Sequence, residues 1–395
     1  MNKKFIFLII IFIFTGCFYN EYEMPKDAYI DLNDNVFEVF SKKNCLDLIK
    51  DSNVEIISKE SVLKTDVIGK NIYTLEYRFK NRKYKYNIEY EVKDSTPPVF
   101  INVGSTITME LNEGFPCDKI VYADNYDNVP TCRVNGNFDV TNTGTYDNLE
   151  FIVNDASLNE AKKKFKLNVV SEIKNAPYTG NPKYIYMDEI LRNYKSDNTS
   201  IGIDISKWQG NVDFEKVKND GIEFVIIQIG GQREANESFE IDSKFNEYYR
   251  KAKEAGLKIG VYVYNTSISK EDGIKAAKWV VNVLHGDKLD FPIGYDWENW
   301  KNFMNYKISL HTLSDSYLSF EETLKKAGYD SMLYSSKYYL ENVWMNYDNS
   351  KVWLAHYVSQ TDYKGKYMMW QMTSLAKING ITDNTVDIDI LYRED

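Results

Sequence analysis

From residue 201 onward the apolar positions fall into short runs separated by stretches of helical spacing. Runs at 201–205, 224–229, 257–263, 293–297 and 331–334 predict strands, and 214–219, 243–255, 270–284 and 311–327 between them predict helices. Three later runs, 352–355, 368–373 and 387–392, follow one another with little helix between them. Alternation of this kind implies a parallel sheet, and eight strands in so short a segment predict a compact barrel, smaller than the usual ~250 residues. Ahead of it, from about 30 to 170, the period drops to two: Tyr84, Tyr86, Ile88 and Tyr90 alternate with Lys85, Asn87 and Glu89. An internal echo sets 66–73 against 139–146, each followed by two further strands, and predicts two small β-sandwich domains at 30–93 and 94–170. Residues 171–199, with Pro177, Gly180 and Pro182, read as a linker holding one helix at 187–194.

The first residues change the picture of where this chain works. Lys3 and Lys4 precede an apolar run, 5–14, too short to span a bilayer, and Thr15, Gly16 and Cys17 follow it. This resembles a bacterial lipoprotein signal: 1–16 would be removed, Cys17 lipidated, and 17–29 would be a tether. An ordinary secretory signal or an uncleaved anchor are the alternatives, and each puts the bulk of the protein outside the cytoplasm. The net charge of −10 and the lack of a long basic block argue against a nucleic-acid partner. The 31 tyrosines suit carbohydrate surfaces, with apolar faces and polar edges. Beyond Cys17 the cysteines are Cys45, Cys117 and Cys132, an odd number; Cys117 and Cys132 could bridge two strands of one domain, but spacing does not fix that geometry. His285, His311 and His356 are scattered, so no cofactor or metal is expected.

The chemistry concentrates at the ends of the barrel strands, where parallel barrels carry their reacting groups. The run 291–295 ends in Asp296 and Glu298, two positions apart, flanked by Trp297 and Trp300. Side chains alternate along a strand, so both acids are expected on one face. Asp204 lies between Ile203 and Ile205, and Asp387 and Asp389 alternate with Val386, Ile388 and Ile390; one side of each strand would pack on helices and the other line an interior. Crowded carboxylates cannot all ionise cheaply, and an acid that keeps its proton beside one that meets a developing cation is what cleavage of a sugar–sugar bond requires. Glu298, with the longer reach, is the expected proton donor; Asp296 then either attacks the anomeric carbon or steadies the sugar's 2-acetamido group.

These segments carry a resemblance. Gly202 to Gly210, Gly221 to Ile227, Ala255 to Tyr262, Tyr295 to Glu298, Leu333 to Ser335, Trp353 to Tyr357, Trp370-Gln371, and Gly380-Ile381 through Val386 to Ile388 are similar, in order, to the glycoside hydrolase family 25 lysozymes over about 200–395. The resemblance implies a (β/α)5(β)3 TIM-like barrel and N-acetylmuramidase activity, hydrolysis of the β-1,4 bond between N-acetylmuramic acid and N-acetylglucosamine in peptidoglycan. Carried over, Glu298 is the acid/base, Asp296 its partner, Asp204 and Asp387 supporting acids, and Tyr262, Tyr334, Tyr357, Trp370 and Gln371 substrate-binding residues. The run Gln228 to Gln232 departs from the family pattern. The two N-terminal segments resemble bacterial immunoglobulin-like repeats, through Asp94 to Val99, Ala123 to Asn125 and Val153 to Ala156. The expectation is therefore a multidomain, monomeric lipoprotein facing the cell wall, with two all-β immunoglobulin-like sandwiches ahead of the α/β barrel, and peptidoglycan glycan strands and the membrane as partners. A chitinase-like glycosidase is disfavoured, because Phe291 and Gly294 occupy two positions that such enzymes fill with acids. A wall-binding lipoprotein that holds glycan without cutting it is the alternative from another class.

Overall fold

A computed structural model of the chain describes residues 21–174, 182–235 and 237–393. The expected signal segment, 1–16, and Cys17 lie outside the described residues. One compact unit ends at Ser95 and a second begins at Thr96. Among the described residues no helix is long and apolar enough to cross a membrane.

The first unit is built on a long hairpin, Gly69–Phe79 paired antiparallel with Arg82–Lys93. Val36–Glu38 adds parallel to one edge and Glu55–Ile56 antiparallel to the other, while Ile30–Leu32 and Ile49–Ser52 form a separate ribbon. The second unit opens with the same plan. A hairpin of Gly144–Asn154 and Glu160–Val170 takes Thr106–Glu110 in parallel on one edge and Thr131–Asn135 on the other, beside a ribbon of Val99–Asn102 and Val121–Ala123. The period-two faces explain both: Leu75 and Tyr77, and Phe151 and Val153, point inward and are buried. In the second module a Cys117–Cys132 disulfide joins a short helical turn to an edge strand. Cys45 is buried and unpaired.

The barrel follows in the same unit. A helix, Met187–Tyr194 (α1), precedes strands β1 (Thr199–Ile205), β2 (Phe224–Gly231), β3 (Lys258–Tyr264), β4 (Ile293–Asp296), β5 (Ser331–Ser336), β6 (Lys351–Ala355), β7 (Met369–Ile378) and β8 (Ile381–Tyr392). Helices α2 (Phe214–Asn219), α3 (Phe245–Glu254), α4 (Lys270–Leu284), α5 (Leu310–Lys326) and α6 (Lys337–Asn342) lie between the first six strands. Their starts follow the sequence: Asp213, Ser269 and Ser309 cap α2, α4 and α5 by accepting a backbone N–H through the side chain. Strands β1 to β7 pair in parallel, and β8 pairs antiparallel with both β7 and β1, closing the ring.

Alternation sorts the side chains into two cores. Ile201, Ile203, Val225, Ile227, Leu333, Leu354, Ile388 and Ile390 face the helices, whereas Phe224, Ile226, Met332, Trp353 and Met369 fill the inside of the barrel. Gly202 is required there, since a Cβ at that position would meet the Phe224 ring at 2.3 Å.

Two expectations need correction. The fold is not a TIM-like (β/α)5(β)3 barrel but a closed eight-stranded β-barrel in a chain made mostly of strands. The repeating βα unit stops at β6, and an antiparallel strand completes the ring. The physical reason is Asn379-Gly380: a two-residue connection can join only antiparallel strands, and Gly380 supplies the positive φ of 93°. Nor are immunoglobulin-like sandwiches evidenced. Each N-terminal module has one four-stranded sheet containing a parallel pair, plus a two-stranded ribbon, where that fold needs two antiparallel sheets face to face.

Candidate active site

The acids gather where the strands deliver them. In the β1–β8 register Asp204 sits directly opposite Asp387, and Gly202 opposite Asp389, so all three carboxyls share the inner face. Strand β4 ends at Asp296, and Glu298 follows it out of the barrel. A cavity of about 260 Å³ at this mouth is lined by Asp204, Asp296, Glu298, Asp387, Tyr262, Tyr334, Tyr357 and Gln371, together with Trp208 and Trp353. A second cavity, of about 480 Å³, adjoins it and shares Glu298, Tyr334 and Tyr357; Trp300, Lys337, Tyr339 and His356 form its farther wall. Glu298 thus stands at the waist of a two-lobed groove.

Rigid contacts fix these side chains. Gln371 Nε2 donates to Asp204 Oδ2 at 2.8 Å, while Gln371 Oε1 accepts from the hydroxyls of both Tyr334 and Tyr357 at 2.8 Å each. The segment carrying Glu298 is pinned from behind. Trp297, 1% exposed, donates through Nε1 to the Ser267 carbonyl at 3.0 Å and packs edge-on against Trp300, which stacks on Tyr339. The Asp296 carbonyl accepts from Asn265 N at 2.9 Å.

The electrostatics follow from burial and crowding. Burial drives the Asp204 carboxyl well above the carboxylate range, and Asp389 adds to the rise. Asp296 is also pushed well up by burial, then by Glu298 and Asp204, and its Oδ1 is buried with no hydrogen-bond partner. Burial among protein groups raises Glu298 too, by less, since the residue reaches the solvent-open groove. Asp387 is pushed to about 9, by burial first and then by Asp204. The constellation therefore retains protons at neutral pH and holds Tyr262 and Tyr334 as neutral hydroxyls, their pKa values raised first by burial.

Of the residues singled out from sequence, one lies elsewhere. Trp370 faces outward: its Nε1 donates to the His356 carbonyl, its ring meets Tyr194 of α1 edge-on, and it is buried in the outer core. Its neighbour Gln371 takes the inward position, so alternation places one of the pair in the groove and the other behind it. Sequence reasoning passed over Trp208 and Trp353. Trp208 is 71% exposed at the rim, with Lys207 Nζ over its ring at 5.5 Å. For Trp208, an aromatic two residues after a strand-end acid motif, Asp204 to Ser206, was the signal available.

Comparisons with known proteins bear on the same segment. Residues 203–381 match the family model for glycosyl hydrolases family 25. The autolytic lysozyme of Clostridium acetobutylicum is 31% identical over 191 residues, covering 48% of this chain and 54% of that protein. The chain thus spans about half the length of the curated relative it matches. Among solved structures, the modular autolysin LytC of Streptococcus pneumoniae, in complex with a synthetic peptidoglycan ligand, is 21% identical, covers 62% of this chain and 56% of that one, and has a TM-score of 0.45. A family 25 glycosyl hydrolase from Bacillus anthracis is 18% identical over 51% of this chain and 94% of that one, with a TM-score of 0.43.

Proposed function

We propose that the glycosyl hydrolases family 25 domain carried at residues 203–381 makes this protein a peptidoglycan hydrolase, one that cleaves the β-1,4 bond between N-acetylmuramic acid and N-acetylglucosamine. The observation that carries the reading is the two-lobed groove with Glu298 at its waist: a glycan strand lying along it has sugars on both sides of one proton-holding carboxyl. Glu298 is the general acid, since it alone of the raised acids combines aromatic burial behind with an open path in front, and it then serves as base toward water. Asp296 lies deeper, and either attacks the anomeric carbon or steadies the sugar's 2-acetamido group. Asp204 and Asp387 flank them. Tyr262, Tyr334, Tyr357 and Gln371 bind substrate, the three hydroxyls neutral; those of Tyr334 and Tyr357 donate to Gln371 and offer lone pairs to the sugar.

The likeness to an autolytic lysozyme supports action outside the cytoplasm, on peptidoglycan strands, and we read the chain as acting as a monomer. A lipid at Cys17, with β-modules at 30–93 and 94–170 and a linker at 171–199 as spacers, would hold the barrel within reach of the wall. Loss of turbidity of purified peptidoglycan, with mass analysis showing new muramic acid reducing ends, tests the activity; an intact glycan, or reducing ends on N-acetylglucosamine, would overturn it.

A further inference from the structure

The larger lobe of the groove carries a tyrosine that is held from outside the barrel. Tyr338 lines that lobe beside Trp300, Tyr339 and Tyr357, and it is 45% exposed. An aromatic so exposed is usually free to turn, but this one is fixed at both ends. Its backbone lies in the first turn of α6, where its carbonyl accepts from Asn342 Nδ2 at 2.8 Å. Its hydroxyl donates to the carbonyl of Phe100, 238 positions away in the β-module that opens the second unit. Its ring meets Tyr339 edge-on at 5.7 Å, and Tyr339 stacks on Trp300 at 4.0 Å, so Tyr338 continues the wall behind Glu298.

The module end of this tether is rigid. Side chains alternate along Val99–Asn102, so Phe100 is buried in the module's core and Ile101 in the barrel's outer core. The register of the ribbon shifts between Phe100 and Asn102, an irregularity of the kind that re-aims the groups beside it. One strand therefore grips both cores and presents its carbonyl to the groove wall. We propose that the β-module completes the substrate groove: Phe100 is a positioning residue that holds Tyr338 as a stacking platform for a sugar in the larger lobe, so that preference for long glycan strands over short fragments depends on the module. The inference rests on the hydrolase reading for the identity of the ligand. A ring of fixed orientation with an open face suits the C–H face of a sugar, because little side-chain freedom is left to lose on contact. The smaller lobe, with its buried acids, grips the sugars beside the bond to be cut; the platform adds affinity only when the strand is long enough to reach it.

The test uses the full chain carrying Glu298→Gln, which stops turnover, and measures by calorimetry the dissociation constants of purified peptidoglycan glycan fragments from disaccharide to octasaccharide. The readout is the ratio of octasaccharide to disaccharide affinity. Adding Tyr338→Ala removes the platform and should cut that ratio about tenfold. Tyr338→Phe keeps the ring but frees its tip, and should cut the ratio about threefold. Ile101→Ala touches no sugar and loosens the ribbon from the barrel; it should lower the ratio as Tyr338→Phe does. The phenylalanine variant keeps the proposal testable if either alanine variant does not fold. An unchanged ratio in Tyr338→Ala would overturn the proposal, as would unchanged ratios in both Tyr338→Phe and Ile101→Ala. A merely structural role lowers the amount of competent protein at every length and leaves the ratio in place. If the chain with Glu298 intact is inactive on peptidoglycan, the hydrolase reading fails while the ratio is still read, since it needs no turnover; absence of binding at every length overturns the inference itself.

Discussion

At the residue scale, the groove assigns its acids different work by how far each stands from water. Glu298 meets solvent, Asp296 and Asp204 only graze it, and Asp389 does not reach it. Glu298→Gln preserves shape and hydrogen bonding but removes the transferable proton. It should lower the lytic rate by at least about 10²-fold with an unchanged melting temperature; a rate near wild type would transfer the acid role to another carboxyl. The crowding also has a thermodynamic sign. Asp387 moves from an ordinary 3.8 to about 9 in the folded chain, so the native state binds a proton that the unfolded state releases. The stability linked to it is full below about pH 4 and is lost as pH rises through 9. Asp387→Asn cannot ionise. It should match wild type in melting temperature near pH 4 and exceed it by a few degrees near pH 9, the gain tempered because Asp387 is only partly shielded. Equal melting curves at both values would show that Asp387 ionises freely in the native state.

At the scale of elements, the hydrophobic pattern places α1, α2 and α4 to the residue and the first six barrel strands within two residues, while β7 runs five residues past its expected end and β8 starts six before its expected start. Period and caps are local, so sequence carries them. The direction of β8 was missed although its signal is also local: Asn379-Gly380 between two apolar runs is a hairpin turn. Reading the last strands, with little helix between them, as further members of a parallel sheet overrode it. Alternation likewise settles Gln371 inward and Trp370 outward once the register is known, but register depends on partners that the chain alone does not show. The hairpin matters to the site because β7 and β8 carry Gln371, Asp387 and Asp389. Gly380 combines a φ of 93° with a Cβ position 2.5 Å from the Asp213 carbonyl oxygen. Gly380→Ala should therefore destabilise the barrel by about 1–3 kcal/mol in denaturant titration and lower activity in proportion. A midpoint equal to wild type would mean the turn relaxes without cost.

For the second unit as a whole, the least legible feature is how the β-module at its start joins the barrel. Ile101 and Ala123 of the module's ribbon are buried in the barrel's own outer core, and Met304 of the segment after Trp300 packs into the module's core. The Leu310 N–H, left open at the first turn of α5, donates to the Asp124 carbonyl at 2.8 Å, and the Tyr338 hydroxyl donates to the Phe100 carbonyl. These pairs are separated by some two hundred positions in sequence and follow no period, so no local reading could reveal them. They bear on function because Trp300 and Tyr339, the wall behind Glu298, belong to the same segments. A fragment beginning at residue 182 would expose Ile101's apolar contact surface, worth about 1.5–3 kcal/mol, and exchange a protein hydrogen bond at a helix N–H for one to water, a net loss of about 0.5–1.5 kcal/mol. It should melt several degrees below a fragment beginning at residue 96 and turn over peptidoglycan more slowly, with kcat falling more than KM rises, since the acid and its backing wall loosen together. Identical melting temperature and lytic rate in the two fragments would show that the module is carried by the barrel without shaping it.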